Sequence, residues 1–291
     1  MGTPVPICRW LLGPLLLLGL FAAAGGAPAR AGSVTIKGSD TMVVLTQKWA
    51  ETYMALHPEA TIQVNGGGTG TGFAALQARA TDICNASRRI RAKEKENCLR
   101  AFRKLPTEYP VALDGLHIYV HQGNPLKQMD LETLAGIYTG AITNWSALGG
   151  PRAPITVYSR ENSSGTYEFF KERVLLGRDF SARVQTLQGT AQVLEAVARD
   201  PFGIGYGGAA YGQGARHLKV SRTADSEAIG PSEATVTSGA YPISRFLYCY
   251  VNPDLDRGDV AGYLRWIRSR EGQAIVRDLG YYPLPPEART D

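Results

Sequence analysis

Three times in this chain a strand-like run ends in a cluster of Gly, Ser and Thr, and a helical pattern begins at once. Val34-Thr35-Ile36-Lys37 alternates like a half-buried strand and enters Gly38-Ser39-Asp40-Thr41. A helix is predicted next, with Val44, Leu45, Trp49, Tyr53 and Leu56 on one face and His57-Pro58 as its stop. Thr61-Ile62-Gln63-Val64 runs into Asn65-Gly66-Gly67-Gly68-Thr69-Gly70-Thr71-Gly72 and a helix with Phe73, Leu76 and Ala80 turned inward. Ile155-Thr156-Val157-Tyr158 enters the segment from Ser159 to Thr166, followed by a helix carrying Phe169, Phe170 and Val174. Strand, loop and helix in this repeated order describe an α/β protein built from βαβ units.

The rest of the chain extends the pattern. Short strands are predicted at Asp82-Ile83-Cys84, Leu116 to Val120, Phe202 to Tyr206 and Tyr248 to Val251. Helices are expected near 130–138 and over Ala191 to Arg199, the latter with Val193, Leu194 and Val197 as its apolar stripe. A closing helix carries Val260, Tyr263, Leu264, Ile267, Ile275, Val276 and Leu279. The 291 residues suffice for one large domain or two lobes of ordinary size. The balance of 44% hydrophobic and 20% charged residues sets aside disorder and coiled coil.

The first 31 residues differ. Arg9 precedes an apolar run from Trp10 to Ala24, and Pro28-Ala29-Arg30-Ala31 offers small residues three and one before a cut after Ala31. A basic start, a short apolar stretch and an A-x-A site read as a secretory signal peptide. The competing reading is a retained anchor, for which the stretch is short. Cys8 lies ahead of the run and no Cys follows it closely, which argues against a lipid anchor. Loss of residues 1–31 removes Arg9 and Arg30 and no acid, taking the formal charge from +5 to +3.

That mild excess could steer an anion. Nucleic acid is not indicated, because no dense basic patch interleaved with aromatics is present. The run Arg88 to Glu96 is mixed in sign and reads as a solvated helix start. In an oxidising compartment Cys84 and Cys98 are close enough in sequence to bridge, while Cys249, in an apolar run, reads as a buried thiol. There is no C-x-x-C zinc motif. His117 and His121 form the only close His pair and would share one strand face, more often a partly exposed face than a metal site.

The three turns carry the chemistry. A helix start presents unpaired N–H groups and a partial positive charge, and so suits an anion. Hydroxyls add donors, and Gly lets backbone approach the ligand. Arg160 adds a planar, permanent positive charge that can engage two oxygens at once. Three such turns converging would enclose a tetrahedral oxyanion without metal or cofactor. Each has a plainer reading, in which Ser, Thr or Asp merely caps its helix. Gly66 to Gly72 lacks the Lys-Ser/Thr of a Walker A loop. Asp40 has a second reading. Phosphate near neutral pH keeps a proton and sulfate does not, so a carboxylate in the site could accept that proton's hydrogen bond and repel sulfate.

With these residues in hand, the chain resembles the periplasmic phosphate-binding proteins that serve phosphate-uptake ABC transporters. The similarity spans almost the whole chain after residue 31. It runs through Gly38-Ser39-Asp40-Thr41, Gly66 to Gly72, Asp82 to Arg88, Gly140 to Trp145, and Tyr241-Pro242-Ile243-Ser244-Arg245. Its most specific segment is Arg160-x-x-x-Ser164-Gly165-Thr166. The resemblance implies a type II periplasmic binding protein of Venus-flytrap form, with a mixed sheet in each of two lobes. Residues 32–113 and 245–291 would form lobe 1, and 114–244 lobe 2. It implies a periplasmic monomer that binds inorganic phosphate and passes it to the membrane permease of an ABC transporter. Carried over by position, the ligand-binding residues are Asp40, Thr41, Thr69, Ser87, Arg160, Ser164, Gly165 and Thr166, with Ser39 and Thr71 beside them. Well-known members place an Asp where this chain has Ser87, and that Asp accepts the phosphate proton. The nearest carboxylate here is Asp40.

Other functions fit less well. An exported phosphatase or hydrolase would need a nucleophile set, and neither a Ser-His-Asp constellation nor a G-x-S-x-G elbow stands out. A binder of sulfate, molybdate or tungstate would use the same turns. A surface adhesion or sensing protein on the same fold is a fourth reading.

Overall fold

Alternation in sequence becomes alternation in burial along β1 (Ser33–Gly38), where Val34 and Ile36 face the core. The computed structural model describes residues 1–2, 33–211 and 214–290. The apolar run read as a leader and the expected cleavage site lie outside the described residues. In chain order there follow α1 (Val43–Leu56), β2 (Thr61–Asn65), α2 (Thr69–Gln77), β3 (Ile83–Ala86), α3 (Ala92–Phe102), β4 (Thr107–Gly115) and β5 (His117–Val120). Next come β6 (Gln128–Asp130), α4 (Leu131–Thr139), β7 (Thr156–Arg160), α5 (Gly165–Arg173), β8 (Gln185–Leu187), α6 (Thr190–Arg199), β9 (Gly203–Gly207) and β10 (Arg216–Ser221). The chain closes with α7 (Glu233–Thr237), β11 (Ser244–Val251), α8 (Gly258–Ile267) and α9 (Arg270–Asp278).

The strands form two mixed sheets, which gives the α/β, two-lobed fold expected. The first runs β2-β1-β3-β11-β4 and the second β6-β10-β5-β9-β7-β8. In the first, β1 is parallel to β2 and β3 while β11 is antiparallel to β3 and β4. In the second, β7 is parallel to β8 and β9 while β5 is antiparallel to β9 and β10. Separate apolar cores serve the two sheets. Leu45, Trp49, Tyr53, Ile83, Leu247 and Ile267 belong to the first, and Ile118, Tyr138, Trp145, Phe170 and Tyr206 to the second. Only Leu116 separates β4 from β5, and the chain returns through Tyr241–Ile243 into β11. The two crossings lie side by side, with Asp114 opposite Arg245.

Several local expectations are corrected. On α1 the buried stripe is Leu45, Trp49 and Tyr53, with Thr46 and Ala50; Val44 and Leu56 are exposed. A 3-10 turn over Asp40–Met42 delays the helix and sets its phase. Ala80 is exposed because α2 stops at Gln77 and Arg79 turns left-handed. The closing helix is two helices, since Ser269 caps α9 and accepts from Gly272 N–H. β4 has no counterpart in the sequence reading. It is an edge strand, the one place a sheet tolerates Pro, and Pro110 sits at its register shift against β11. Cys84, Cys98 and Cys249 are free and buried. Cys84 and Cys98 pack as apolar groups in the cluster of Phe73, Leu76 and Tyr250, and no bridge joins them.

Candidate functional site

The Gly-rich turns converge because glycines let the loops touch backbone to backbone. Gly38, at φ 147°, leads into the first turn, where Ser39 N–H donates to Asn85 O at 2.9 Å. Gly67 and Gly68 have φ of 107° and 92°, and Gly68 N–H donates to Gly38 O at 2.9 Å. The second turn also meets the third, Gly70 N–H donating to Ser163 O at 2.9 Å. A Cβ on Gly165 would lie 2.3 Å from Thr69 Oγ1 and 2.7 Å from Ser87 Oγ. The lobes are therefore closed on each other at a position only Gly can fill.

The expected site residues divide by what their hydroxyls do. Ser39, Thr41, Thr69, Ser87, Ser164 and Thr166 are all buried. Neither Ser39 nor Thr69 caps its helix through the side chain. Thr69 Oγ1 accepts from Ser87 N–H at 3.1 Å and lies 3.4 Å from Ser87 Oγ. Thr41 Oγ1 lies 2.7 Å from Thr166 Oγ1, across the cleft. Ser164 does cap α5, accepting from Thr166 and Tyr167 N–H, which leaves its own O–H free to donate. Thr71 is the exception. Its hydroxyl donates to Gly68 O at 2.7 Å, inside its own turn and away from the buried group.

Arg160 ends β7 and is 1% exposed. Its Nη1 donates to Thr190 Oγ1 at 2.9 Å and its Nη2 to Asp40 Oδ2 at 2.7 Å. Asp40 Oδ1 accepts from Gly67 N–H at 2.8 Å, so one carboxylate pins the second turn and orients the guanidinium. Tyr211 donates to Asp40 O at 2.9 Å, and burial pushes its phenol up to about 12.

Four contributors escaped the sequence reading: Thr190, Tyr211, Asp114 and Arg245. Thr190 follows Gly189 at the start of α6, a fourth Gly-Thr helix opening of the kind already singled out. Asp114 and Arg245 are charges set beside apolar strand residues, the signal that could have paired them. Arg245 Nε and Nη2 donate to Asp114 Oδ2 at 3.0 and 2.8 Å, and Nη2 also reaches Thr166 Oγ1 at 3.0 Å. Burial pulls the Arg245 guanidinium below its ordinary value, and Asp114 opposes this.

Among the described residues, some buried cationic donors have no acceptor. Arg160 Nε, Arg245 Nη1 and Arg88 Nε have no hydrogen-bond partner among the described residues. An orphaned buried donor costs about 1–3 kcal/mol, so an acceptor brought to any of these N–H groups would relieve that cost.

At the rim, Arg88 is buried rather than solvated. It makes a two-pronged pair with Glu94, 2.8 Å on each prong, and lies 3.8 Å from Glu168 of α5. Arg91 also pairs with Glu168. The β3–α3 segment and α5 thus latch across the cleft. His121 takes no part in a pair with His117: it follows β5, and its Nδ1 accepts from Gly123 N–H.

The PBP superfamily domain model matches residues 23–271. The phosphate-binding protein PstS of Pseudomonas aeruginosa is 32% identical over 276 residues, covering 89% of this chain and 85% of that protein. PstS of Bacillus subtilis is 31% identical over 267 residues, covering 90% and 84%. Among solved structures, a Clostridium perfringens protein with bound phosphate superposes with a TM-score of 0.80 at 28% identity, covering 87% of this chain and all of that one. An ABC-type phosphate transport receptor from Vibrio cholerae gives 0.69 at 25% identity, with 87% and 100% covered.

Proposed function

We infer the function from one premise: this chain belongs to the PBP superfamily, among the phosphate-binding proteins PstS. It binds inorganic phosphate between its lobes and delivers it to the permease subunits of an ABC transporter. It is a binding protein and not an enzyme; its work is capture, closure and release. The observation that carries this reading is Arg160, buried at the lobe interface, oriented by Asp40 and Thr190, with an unspent Nε–H.

Ser39, Asp40, Thr41, Thr69, Ser87, Arg160, Ser164, Gly165 and Thr166 surround the anion in this proposal, and Arg245 supports Thr166. The phosphate oxygens take hydrogen bonds from the hydroxyls and from Arg160. Each charge-assisted bond is worth roughly 1.5–3 kcal/mol net, offset by the anion's lost hydration. Closure excludes water, which strengthens every remaining interaction. Asp40 accepts the phosphate proton. Its two oxygens already serve Arg160 and Gly67, but a carboxylate offers about four acceptor positions. Thr71 supports the second turn and does not touch the ligand.

Residues 32–113 and 245–291 form one lobe and 114–244 the other, hinged at Asp114 and Arg245. Residues 1–31 are a secretory leader cleaved after Ala31, and the remaining chain works as a monomer in the periplasm. Calorimetry on that chain with phosphate, sulfate and molybdate, repeated on Arg160→Ala, tests the reading. Tight phosphate binding lost in the variant supports it. Preference for sulfate or molybdate would reassign the ligand.

A further inference from the structure

Asp114 and Arg245, at the two chain crossings between the lobes, are both buried. The carboxylate is held from two sides. Its Oδ1 accepts from Ala209 N–H at 3.0 Å, and its Oδ2 accepts from Arg245 Nε and Nη2. The guanidinium so fixed also packs on the Phe169 ring, 5.0 Å from its centroid. Nη2 carries two hydrogens, and the second goes to Thr166 Oγ1 at 3.0 Å. A guanidinium has donors and no acceptor, so this bond runs one way. Thr166 Oγ1 must accept, and its own proton must go elsewhere. Thr41 Oγ1, 2.7 Å away, is buried too. The two hydroxyls hold two protons, and their mutual bond spends one. Neither has another partner among the described residues. One O–H is therefore left over at the cleft, whichever way the mutual bond runs.

We propose that Arg245, held by Asp114, is a positioning residue that makes the Thr166–Thr41 pair a donor to the anion and so favours doubly over singly charged phosphate. This role rests on phosphate being the ligand. Doubly charged phosphate keeps one proton, which goes to Asp40. Singly charged phosphate has a second, and its P–OH would meet the surplus O–H of the pair, donor against donor. Such a mismatch leaves a buried donor unpaired. Without the one-way bond from Arg245, a lone pair of Thr166 is released, the pair can turn and accept, and the preference falls. Asp114 offsets the charge of Arg245 at hydrogen-bond distance, so what reaches Thr166 is chiefly direction. Arg160 is the other cation near Arg245. Burial pushes the nearby His117 imidazole down to about 4 and raises the phenols of Tyr119, Tyr206, Tyr211, Tyr241, Tyr281 and Tyr282, so these groups stay uncharged near neutral pH.

The test is calorimetry with inorganic phosphate on the acid and the alkaline side of its second ionisation. The parent should bind at least about fivefold more tightly on the alkaline side, the effect of one ill-matched hydrogen bond. Asp114→Asn/Arg245→Gln keeps hydrogen-bonding groups and neutrality but loses the one-way donor, since an amide can donate or accept. Thr166→Val keeps the ion pair and the packing and removes the hydroxyl that Arg245 addresses. Each should lower the alkaline-to-acid affinity ratio at least about twofold, whereas a merely structural role weakens binding equally on both sides. If the paired replacement fails to fold, Thr166→Val decides. A parent without the alkaline preference, or a folded variant that keeps the parent's ratio, overturns the proposal and leaves phosphate binding standing. A parent that binds no phosphate overturns both.

Discussion

Arg160 and Asp40 stand 120 residues apart in the chain and meet at 2.7 Å, Nη2 donating to Oδ2. The guanidinium comes from β7 of the second sheet and the carboxylate from the turn after β1 of the first. The pair therefore forms only where the two lobes meet, and closure itself orients the Arg160 guanidinium.

Arg160→Ala removes the charge and leaves Asp40 without its partner. Loss of roughly 3 kcal/mol corresponds to about two orders of magnitude in phosphate affinity. Calorimetry reads it directly, and a change below about threefold counts against the site. Arg160→Lys recovers only part, because an ammonium cannot serve Asp40, Thr190 and the anion in one plane.

Asp40→Asn addresses selectivity. An amide can donate to a fully ionised oxygen, so sulfate should gain on phosphate. The ratio of the two affinities is the readout. An unchanged ratio removes Asp40 as the proton acceptor and leaves it as the group that positions Arg160.

Gly165→Ala should keep the lobes from closing, since the added methyl meets Thr69 Oγ1 and Ser87 Oγ. Phosphate should bind weakly and fail to compact the protein in small-angle scattering, with thermal unfolding of the ligand-free protein little changed. Normal compaction would show that the turns can separate at no cost. Thr69→Ala should weaken binding and Thr71→Ala should not, because Thr71 spends its hydroxyl on its own turn.

Glu168→Gln unfastens the rim latch with Arg88 and Arg91. The pair with Arg91 is partly exposed, so the effect is modest, about 0.5–1 kcal/mol, or a two- to fivefold faster phosphate release. The difference from the parent should shrink at high salt. Release rates equal at low salt would mean the latch bears no load.

The three cysteines give a test of the redox state. Burial pushes the Cys98 thiol up to about 11, and raises Cys84 and Cys249 as well. Native protein beginning at Gly32 should resist alkylation at neutral pH, and all three thiols should react in denaturant without reductant. One reactive thiol instead of three would reveal a bridge.

Much of this was legible along the chain. The turns at Gly38, Gly66–Gly72 and Arg160–Thr166, the alternation in β1 and the inward positions of Phe73, Leu76 and Phe170 follow from neighbours within a few residues. Helix phase and turn chemistry are local properties, so local pattern determines them. What the sequence left open depends on where distant segments come to rest. Thr69 and Thr71 are indistinguishable by type, and the backbone of one turn decides which hydroxyl folds back on its own turn and which reaches Ser87. Asp114 and Arg245, 131 residues apart, become a buried pair only because the chain crosses between the lobes twice at the same place. His117 finds His217, not His121, because strand pairing joins β5 to β10. The sequence by itself determined that this chain builds Gly-rich, hydroxyl-lined helix starts with one arginine among them. Only the tertiary structure decided that Asp40 and Thr190 hold that arginine, since an ion pair across a closing cleft has no local signature.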